Sequence, residues 1–428
     1  MNYENTLEWL YAQLPMFSRT GAAAYKPGLQ TSQKLDSYFG HPHKKFKSIH
    51  VGGTNGKGST SHMISAILQS QGYRTGLYTS PHLVDFRERI RIDRKMIDKE
   101  AVVNFVKKFK ESGYEGHPSF FELTMMMAFD WFASQRVDYA VIEVGMGGRL
   151  DSTNIISPEL AIITNISKDH TQFLGKNLVE IAREKAGIIK SEVPCVVGEA
   201  EGEIKEVFEE RASEVGTTVL FADKLCPLQK CKSNPEGGLD CSSPICGDFH
   251  CQLGGDYQKK NINTVLTALY EMRRIGIEID DDAIKKGMED VCGLTGLAGR
   301  WMKGADKPLT ICDTGHNEAG IRYTMSQLDR IVKETHGEKH IIIGFVADKA
   351  IDDIINLLPK DARYYLTCAS IPRALPVEDL KAKFIEHGIV GNAFVNPKEA
   401  FEAARCNATD KDVIYIGGST FIVADFLA

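Results

Sequence analysis

Residues 50–60, with the sequence HVGGTNGKGST, combine four glycines, one lysine and an adjacent serine and threonine. Glycines allow backbone N–H groups to turn toward an anion, and a lysine adds a positive point charge. The stretch departs from the strict G-x-x-x-x-G-K-[ST] pattern because Gly58 separates Lys57 from Ser59. Its first two residues end the apolar run KFKSIHV, and a helical pattern follows. We therefore predict a strand, loop and helix in which residues 53–59 bind phosphate groups.

Carboxylate and imidazole side chains follow two further apolar runs. Glu143 is the last residue but one of VDYAVIEV, before a glycine turn, and Asp169 and His170 follow LAIITNI. Ligands of open α/β sheets bind at the carboxyl ends of strands, and γ-phosphoryl transfer needs Mg²⁺ on oxygen ligands. Glu143 is thus either a metal ligand or an ordinary strand-edge residue. Spacing alone favours a hydrogen-bonded structural role for His170, because His is an unusual Mg²⁺ ligand.

The elements that must position these residues alternate between apolar runs and helical patterns from residue 46 onward. Apolar strands separated by helices indicate a parallel sheet covered on both faces. The alternation restarts after CGLTGLAGRW at 292–301, which we interpret as a linker. The predicted fold is α/β: a P-loop-type parallel-sheet domain over 1–295, with a small β-rich segment at about 217–256, and a smaller Rossmann-like domain over 296–428.

The composition of the chain limits the classes of binding partner that we expect. The chain has 428 residues, too many for one ordinary core, with 43% apolar residues and a net charge of −6. This charge gives no general reason to expect nucleic acid or an anionic membrane as partner. The N-terminus lacks a secretory signal pattern, and no run approaches the ~20 apolar residues of a membrane helix. We expect a cytoplasmic protein with reduced thiols.

Five of the ten cysteines lie close together in the sequence, at Cys226, Cys231, Cys241, Cys246 and Cys251. The four-residue gaps between paired cysteines are wider than the usual two-residue spacing of a zinc knuckle. Ordinary thiols are therefore favoured over a structural zinc site.

Several motifs together resemble the folylpolyglutamate synthase and dihydrofolate synthase family of the Mur ligase superfamily. They are HVGGTNGKGST, YTSPHLVDFRERIRI, EVGMGGRLDSTN, ITNISKDH and AREKAGIIK. The resemblance runs from about Tyr25 to the end. It implies ATP-dependent amide ligation, in which a pterin-bearing carboxylate attacks the γ phosphate and the amine of L-glutamate then displaces phosphate from the acyl phosphate. It also implies a monomer.

The resemblance assigns roles to individual residues. For ATP it implies Gly53, Thr54, Asn55, Gly56, Lys57, Gly58, Ser59, Gln258, Asn261, Arg300 and Asp313. For Mg²⁺, with two ions expected, it implies Ser80, Glu143, His170 and Lys185, the last carbamylated into a carboxylate. Lys57, Lys185 and His316 would act in catalysis. For dihydropteroate or a reduced folate it implies Gly28, Leu29, Pro81, Phe121, Leu150, Asp151 and Ser152, although Phe121 could equally be a core residue.

Two positions depart from the family pattern: Tyr257 stands where a histidine is usual, and Glu318 where a proline is usual. Other functions stay open as alternatives. A monofunctional folylpolyglutamate synthase would accept only one class of substrate. A cell-wall Mur ligase would need another domain before the ATP-binding loop, for which about 50 residues leave little room. A non-catalytic module would bind ATP without forming product.

Overall fold

The larger of two mixed sheets carries the glycine-rich loop. Its strands are β1 Lys47–Gly52, β2 Thr75–Tyr78, β3 Ile90–Ile92, β4 Lys95–Met96, β5 Tyr139–Glu143, β6 Leu160–Ile163, β7 Cys195–Val197 and β8 Val219–Phe221. Their order is β4-β3-β2-β5-β1-β6-β7-β8. The predicted parallel sheet is confirmed, and it also carries an antiparallel edge formed by β3 and β4, which the sequence did not indicate.

The computed structural model describes residues 2–13, 28–234, 237–347 and 351–428. Contacts divide the chain into two units. The first unit contains residues 1–232, 239–252 and 258–297, and the second contains residues 233–238, 253–257 and 298–428. The domain division predicted at 295/296 stays a prediction.

Helices cover both faces of the eight-stranded sheet. They are α1 Tyr3–Gln13, α2 Gln30–Tyr38, α3 Lys57–Gln71, α4 Lys99–Glu111, α5 Phe120–Ser134, α6 Thr171–Leu174, α7 Leu178–Ala186, α8 Gly202–Val215, α9 Ala222–Leu225, α10 Gln258–Arg274, α11 Asp281–Glu289 and α12 Val291–Thr295. Short 3₁₀ helices span Pro42–Lys45, Phe86–Arg89 and Ser152–Ile155. Side chains two residues apart on a strand point to the same face, and Ala161 and Ile163 of β6 accordingly pack in one core cluster.

Strand register brings three loops to one edge of this sheet. β1 pairs in parallel with both β5 and β6, so that Val51 lies opposite Glu143 and Gly52 lies opposite Ile163. The chain therefore leaves β1, β5 and β6 at the same carboxyl edge. This is the part of an open α/β sheet where ligands bind.

The β-rich segment predicted at about 217–256 begins with β8 and then forms a small separate sheet. Its strands are β9 Lys230–Ser233, β10 Leu239–Ser243 and β11 Gly247–Cys251, in the order β11-β10-β9. The Sγ atoms of Cys231 and Cys241 lie 2.9 Å apart. All ten cysteines of the chain are free thiols.

The second unit contains a six-stranded sheet. Its elements are β12 Met302–Asp306, β13 Leu309–Cys312, α13 Glu318–Thr335, β14 Lys339–Ile343, α14 Asp352–Ile355, β15 Ala362–Leu366, α15 Val377–Glu386, β16 Gly391–Ala393, α16 Pro397–Asn407, β17 Val413–Gly417 and α17 Thr420–Leu427. The order is β12-β13-β17-β14-β15-β16, and only β12 is paired antiparallel among these described strands. Ile341 and Ile342 point into different cores, so both faces are covered. The predicted α/β class is confirmed.

The interpretation of 292–301 as a linker is wrong for its first residues. Val291–Thr295 form a helix in which the Thr295 hydroxyl contacts His62 Nδ1 at 2.7 Å. Val291 and Thr295 are buried. The glycines in this stretch suggested an open segment, but burial against the neighbouring helix stabilises a helical turn. No helix formed by the described residues is long and apolar enough to cross a membrane.

A close helix crossing supports the loop-bearing helix α3. A Cβ atom added to Gly287, on α11, would lie 2.6 Å from the Ile67 Cα atom. We expect Gly287→Ala to lower the free energy of unfolding by roughly 1–2 kcal/mol, because a clash with backbone atoms puts the overpacking cost at about 2–3 kcal/mol and the helix propensity gained is about 1 kcal/mol. Thermal or urea unfolding measures this, with the exposed Lys286→Ala on the same helix as control. Unchanged stability of Gly287→Ala would contradict the close crossing.

Candidate active site

The loop after β1 depends on two glycines. Gly53 has φ +135° and Gly56 has φ +83°, backbone angles that residues other than glycine rarely adopt. A Cβ atom at Gly53 would lie 1.9 Å from Thr164 Oγ1, and one at Gly56 would lie 2.2 Å from Asn261 Oδ1. Both glycines are therefore required by conformation and by space.

The loop is held by the turn that follows β6. Thr54 N donates to the Asn165 carbonyl oxygen at 2.9 Å, and Asn55 N donates to Asn165 Oδ1 at 3.0 Å. The Thr164 hydroxyl donates to the Asn55 carbonyl oxygen at 2.6 Å, and the Thr54 hydroxyl donates to the Ser167 carbonyl oxygen at 3.2 Å. Thr164, Asn165 and Ser167 were not predicted as site residues, although the motif ITNISKDH that contains them follows a strand.

Helix α3 begins at Lys57, directly after this loop, and no side chain caps its start. The N–H groups of a first helical turn have no acceptor within the helix, and this end carries partial positive charge. By contrast, the Ser119 hydroxyl caps α5 by accepting from Glu122 N. An uncapped start beside the glycine loop fits a phosphate ligand.

Two lysines meet at one carbonyl group of the loop. Lys57 Nζ donates to the Gly53 carbonyl oxygen at 3.1 Å, and Lys185 Nζ donates to the same oxygen at 2.8 Å. Lys185 is 3% exposed. Burial, and secondly the charge of Lys57, lower the pKa of Lys185 to about 7, while Asp169 and Asp151 act in the opposite direction. A large fraction of this amine is neutral near pH 7, and the neutral form is the nucleophile that carbamylation requires.

Glu143 and Ser80, both predicted metal ligands, are in contact. Glu143 is buried at the end of β5, and its Oε2 atom accepts from Ser80 N at 2.9 Å. A carboxylate and a hydroxyl supply oxygen donors that Mg²⁺ prefers, and Lys185 would add a carboxylate only when carbamylated, so this part of the donor set fits the metal.

His170 lies after β6 in a left-handed conformation, with φ +49°. Its Nε2 atom is 3.9 Å from Asp169 Oδ1, and its side chain is 33% exposed. Within the described ranges, Glu143 and His170 do not belong to a group of three potential ligands whose atoms converge within 4.8 Å. The metal-binding role of His170 stays a prediction.

Asp151 is a buried carboxylate that orders the turn after β5. Its Oδ2 atom accepts from Met146 N at 2.8 Å, and its Oδ1 atom accepts from Thr153 N at 3.0 Å. Burial raises the pKa of Asp151, although these hydrogen bonds act in the opposite direction. The carboxylate caps the 3₁₀ helix that begins at Ser152, while Leu150 before it is half-buried.

The segments predicted to bind the acceptor lie near one another. Phe121, at the start of α5, is half-buried, and its ring would lie 2.5 Å from a Cβ atom at Gly145. Gly28 and Leu29 precede α2, which contacts both α5 and the Ser152–Ile155 helix. Gly28 and Leu29 belong to the stretch KPGLQ at 26–30, whose residues 26 and 27 lie outside the described residues. Pro81 is exposed beside Ser80. Substrate binding by these residues stays a prediction.

Gln258 and Asn261 contact the phosphate loop and its helix. The Gln258 amide donates to Ser59 Oγ at 3.1 Å, and the Asn261 amide donates to Gln258 Oε1 at 2.7 Å. Gln258 is fully buried, and Asn261 lies against Gly56. These amides therefore hold the loop in place, while their contact with adenine stays a prediction.

In the second unit, both oxygens of the Asp313 carboxylate accept hydrogen bonds. Its Oδ2 atom accepts from the Tyr257 hydroxyl at 2.6 Å and from Trp301 N at 2.8 Å, and its Oδ1 atom accepts from Gly315 N at 2.7 Å. Tyr257, one of the two departures from the family pattern, is thus bonded to a predicted ATP-binding residue. Arg300 lies beside Trp301 and donates to the Gly299 carbonyl oxygen at 3.3 Å.

His316 and the start of α13 follow Asp313. His316 Nδ1 donates to the Thr314 carbonyl oxygen at 2.9 Å. The second departure, Glu318, is the first residue of α13, and Asn317 Oδ1 caps this helix by accepting from Gly320 N at 3.0 Å. A carboxylate in the first turn complements the helix dipole, so the missing proline does not prevent the helix from starting here.

The glycine at position 56 provides a test of the loop geometry. We expect Gly56→Ala to weaken ATP affinity at least about tenfold, or about 1.4 kcal/mol, because its Cβ atom would displace Asn261. The matched control is Gly72→Ala, since Gly72 has φ +100° but no atom within 4 Å of its added Cβ. Gly72→Ala should lose roughly 1–3 kcal/mol of stability and keep the ATP affinity of the wild type. Calorimetric titration with ATP measures the affinity of both variants. Equal ATP affinities of Gly56→Ala and Gly72→Ala would contradict the close contact between Gly56 and Asn261.

The lowered pKa of Lys185 predicts a pH-dependent stability. Between about pH 7 and its ordinary pKa, the unfolded chain holds a proton that the folded chain lacks, so stability rises with pH by up to about 1.4 kcal/mol per pH unit. This gain is absent below pH 7. Lys185→Met should remove this part of the slope, whereas the exposed Lys176→Met should keep it. Urea unfolding from pH 7 to 9 in buffer free of carbon dioxide measures the difference, and identical slopes would refute the buried neutral amine.

Family models match both parts of the chain. Residues 51–269 match the Mur ligase middle domain, and residues 299–420 match the Mur ligase glutamate ligase domain. The first match covers the phosphate loop, Glu143, His170 and Lys185. The second covers Arg300, Asp313 and His316.

Named relatives extend over nearly the whole chain. A dihydrofolate synthase/folylpolyglutamate synthase of Bacillus subtilis is 30% identical over an alignment 438 positions long, which covers 99% of this chain and 98% of that protein. A probable bifunctional folylpolyglutamate synthase/dihydropteroate synthase of Haloferax volcanii is 31% identical, covering 94% of this chain but 48% of that protein, so the chain spans about half its length.

A solved structure shares the fold. It is the bifunctional folylpolyglutamate synthase/dihydrofolate synthase of Yersinia pestis complexed with AMPPNP and a manganese ion, with a TM-score of 0.82, 26% identity and coverage of 99% of this chain and 97% of that one. With both family models matched and a relative aligned almost end to end, the chain belongs to the Mur ligase family, in its dihydrofolate synthase/folylpolyglutamate synthase group.

Proposed function

We propose that this protein joins L-glutamate to dihydropteroate and to the glutamyl tail of reduced folates, with ATP as the energy source. The observation that carries the proposal is the pair of lysines at Gly53. A phosphate loop alone would fit many nucleotide-binding proteins, but Lys185 adds a buried amine with a pKa of about 7 against that loop. The names of the relatives supply the substrate class.

The reaction that we propose has two steps. A carboxylate oxygen of the acceptor bonds to the γ phosphorus, and the bond from that phosphorus to the bridging oxygen breaks, releasing ADP. The nitrogen of glutamate then bonds to the acyl carbon, the carbon–oxygen bond breaks, and phosphate leaves. The glutamate ammonium loses two protons overall, one to phosphate and one to solvent. Two anions must meet in the first step, so positive groups must surround the phosphates.

The residues of the first unit suit this requirement. Lys57 and the uncapped start of α3 would bind the ATP phosphates, while the turn at Thr164–Ser167 keeps the loop in place. Mg²⁺, when bound, neutralises phosphate charge, and we assign Ser80, Glu143, His170 and carbamylated Lys185 to hold it. Fixed alignment of the acceptor, ATP and glutamate accounts for much of the rate gain in such reactions.

Further roles follow the family pattern. We assign Gln258, Asn261, Arg300 and Asp313 to ATP, His316 to the vicinity of the reacting carbonyl group, and Gly28, Leu29, Pro81, Phe121, Leu150, Asp151 and Ser152 to the acceptor. We also propose that the protein acts as a monomer in the cytoplasm, with no nucleic acid or membrane partner. Ten free thiols support a reducing compartment.

Product analysis tests the activity. The protein is incubated with MgATP, L-glutamate and either dihydropteroate or a reduced monoglutamyl folate, and products are identified by mass. We expect one glutamate to be added to each acceptor. Addition to one acceptor would assign a monofunctional enzyme. ATP binding or phosphate release without either product would overturn the proposal.

Phe121 tests the acceptor site. We expect Phe121→Leu to raise the KM for dihydropteroate roughly tenfold, since stacking on an aromatic ring is worth about 1–3 kcal/mol for a base-like heterocycle. The KM for ATP should change less than about twofold. Phe129→Leu, a fully buried change on the same helix, is the control and should lower stability without raising this KM. Equal KM values for both variants would assign Phe121 to the core instead.

A further inference from the structure

We propose that Asp36, His41 and His43 form a site for a divalent transition-metal ion of the zinc type, separate from the proposed Mg²⁺ site. Among the described residues, these three are the only group of three or more His, Cys, Asp or Glu side chains whose ligand atoms lie within 4.8 Å of one another. Two imidazoles and one carboxylate favour zinc, cobalt or nickel over magnesium, which prefers oxygen ligands.

The two imidazoles approach opposite oxygens of one carboxylate. His41 Nδ1 lies 2.6 Å from Asp36 Oδ2, and His43 Nδ1 lies 2.7 Å from Asp36 Oδ1. Without metal, each Nδ1–H donates to the carboxylate, and an ion would replace these two protons. Ligands at about 2.0 Å from a tetrahedral ion are about 3.3 Å apart, so the side chains must separate by roughly 0.6 Å.

The backbone holds the three residues in place before any ion binds. Asp36 is on the last turn of α2, and His41 N donates to the Asp36 carbonyl oxygen at 2.9 Å. His41 has φ +55° and directly precedes the buried Pro42, which starts a 3₁₀ helix. The chain thus folds back so that both histidines face the helix end, and such preorganisation favours metal binding.

Burial and charge also suit a cation. The side chain of Asp36 is 5% exposed, and both of its ion pairs among the described residues are with histidines rather than lysine or arginine. A buried carboxylate is costly unless its charge is compensated, and a metal ion would neutralise it. The His41 side chain is 44% exposed, which gives an ion access from solvent and leaves room for water as a further ligand.

The position of the cluster predicts its effect. Helix α2 follows Gly28 and Leu29, and its Ser32 hydroxyl donates to Glu122 Oε1 at 3.2 Å, next to Phe121. An ion at the other end of α2 would fix this helix against the 3₁₀ helix at Pro42–Lys45. We expect the ion to stabilise the first unit and, if the proposed function holds, to lower the KM for the acceptor without entering the chemistry.

Metal titration of the intact protein tests the site directly. Metal-stripped protein in excess Mg²⁺, without ATP, is titrated with Zn²⁺ by calorimetry and with Co²⁺ by visible absorption. The wild type should bind one metal ion more than His43→Gln does, or should bind that ion at least about tenfold more tightly than the variant. His387→Gln is the control, because His387 contacts Asp352 and Asn356 without a second imidazole. It should behave as the wild type does.

Further measurements separate folding from binding. Circular dichroism checks each variant, and His41→Gln, at the more exposed position, provides a second test if His43→Gln does not fold. Zn²⁺ should raise the Tm of the wild type and of His387→Gln, but not of His41→Gln. Equal Zn²⁺ and Co²⁺ binding by the wild type and the folded His41 or His43 variants would overturn the site.

The ligase assay is independent of this result. Metal binding that depends on His41 and His43 supports the site even if no glutamate is added to any acceptor, in which case only the proposed function fails. If ligation occurs, a KM for the acceptor that is the same with and without Zn²⁺ would overturn the predicted effect on the acceptor site.

Discussion

The Gly53 carbonyl oxygen accepts hydrogen bonds from two lysines, and its position depends on the loop after β1, the turn after β6 and helix α7. The positive charge of Lys57 disfavours protonation of the buried Lys185. An anion or a carboxylate beside the two lysines would therefore stabilise them. The turn after β6 fixes the loop, and α7 presents Lys185. Two lysines this close together would destabilise an ordinary core, but here they provide positive charge for binding phosphate.

The strand that carries the loop is also bonded to the proposed acceptor site. His50, on β1, contacts the Thr153 hydroxyl through Nε2 at 2.9 Å, and Thr153 in turn donates its hydroxyl to Asp151. Burial lowers the pKa of His50 to about 3, so it is neutral and can keep this geometry over the physiological pH range. The same strand thus orders the phosphate loop at its end and the Asp151 turn at its side.

Much of this organisation was predictable because its signals are local. The glycines at 53 and 56 lie between an apolar strand and a helix, and the central parallel strands of both sheets are apolar runs. The contacts of the loop with Thr164–Ser167 were not predictable, since they join residues about 110 positions apart in sequence. The burial of Lys185 was hidden for a similar reason: a lysine near a helix end is usually solvated. The helix at Val291–Thr295 was missed because tertiary burial outweighs the cost of Gly293 within it and of the glycines that follow.

Oxygen transfer tests the central claim most directly. The acceptor carboxylate is labelled with ¹⁸O, and the phosphate released during glutamate addition is examined by mass spectrometry. An acyl phosphate requires one carboxylate oxygen to leave with phosphate, so each phosphate formed should carry one labelled oxygen for every amide formed. Unlabelled phosphate, with the label kept in the acceptor or lost to water, would contradict activation of the carboxylate by the γ phosphate bound at this loop.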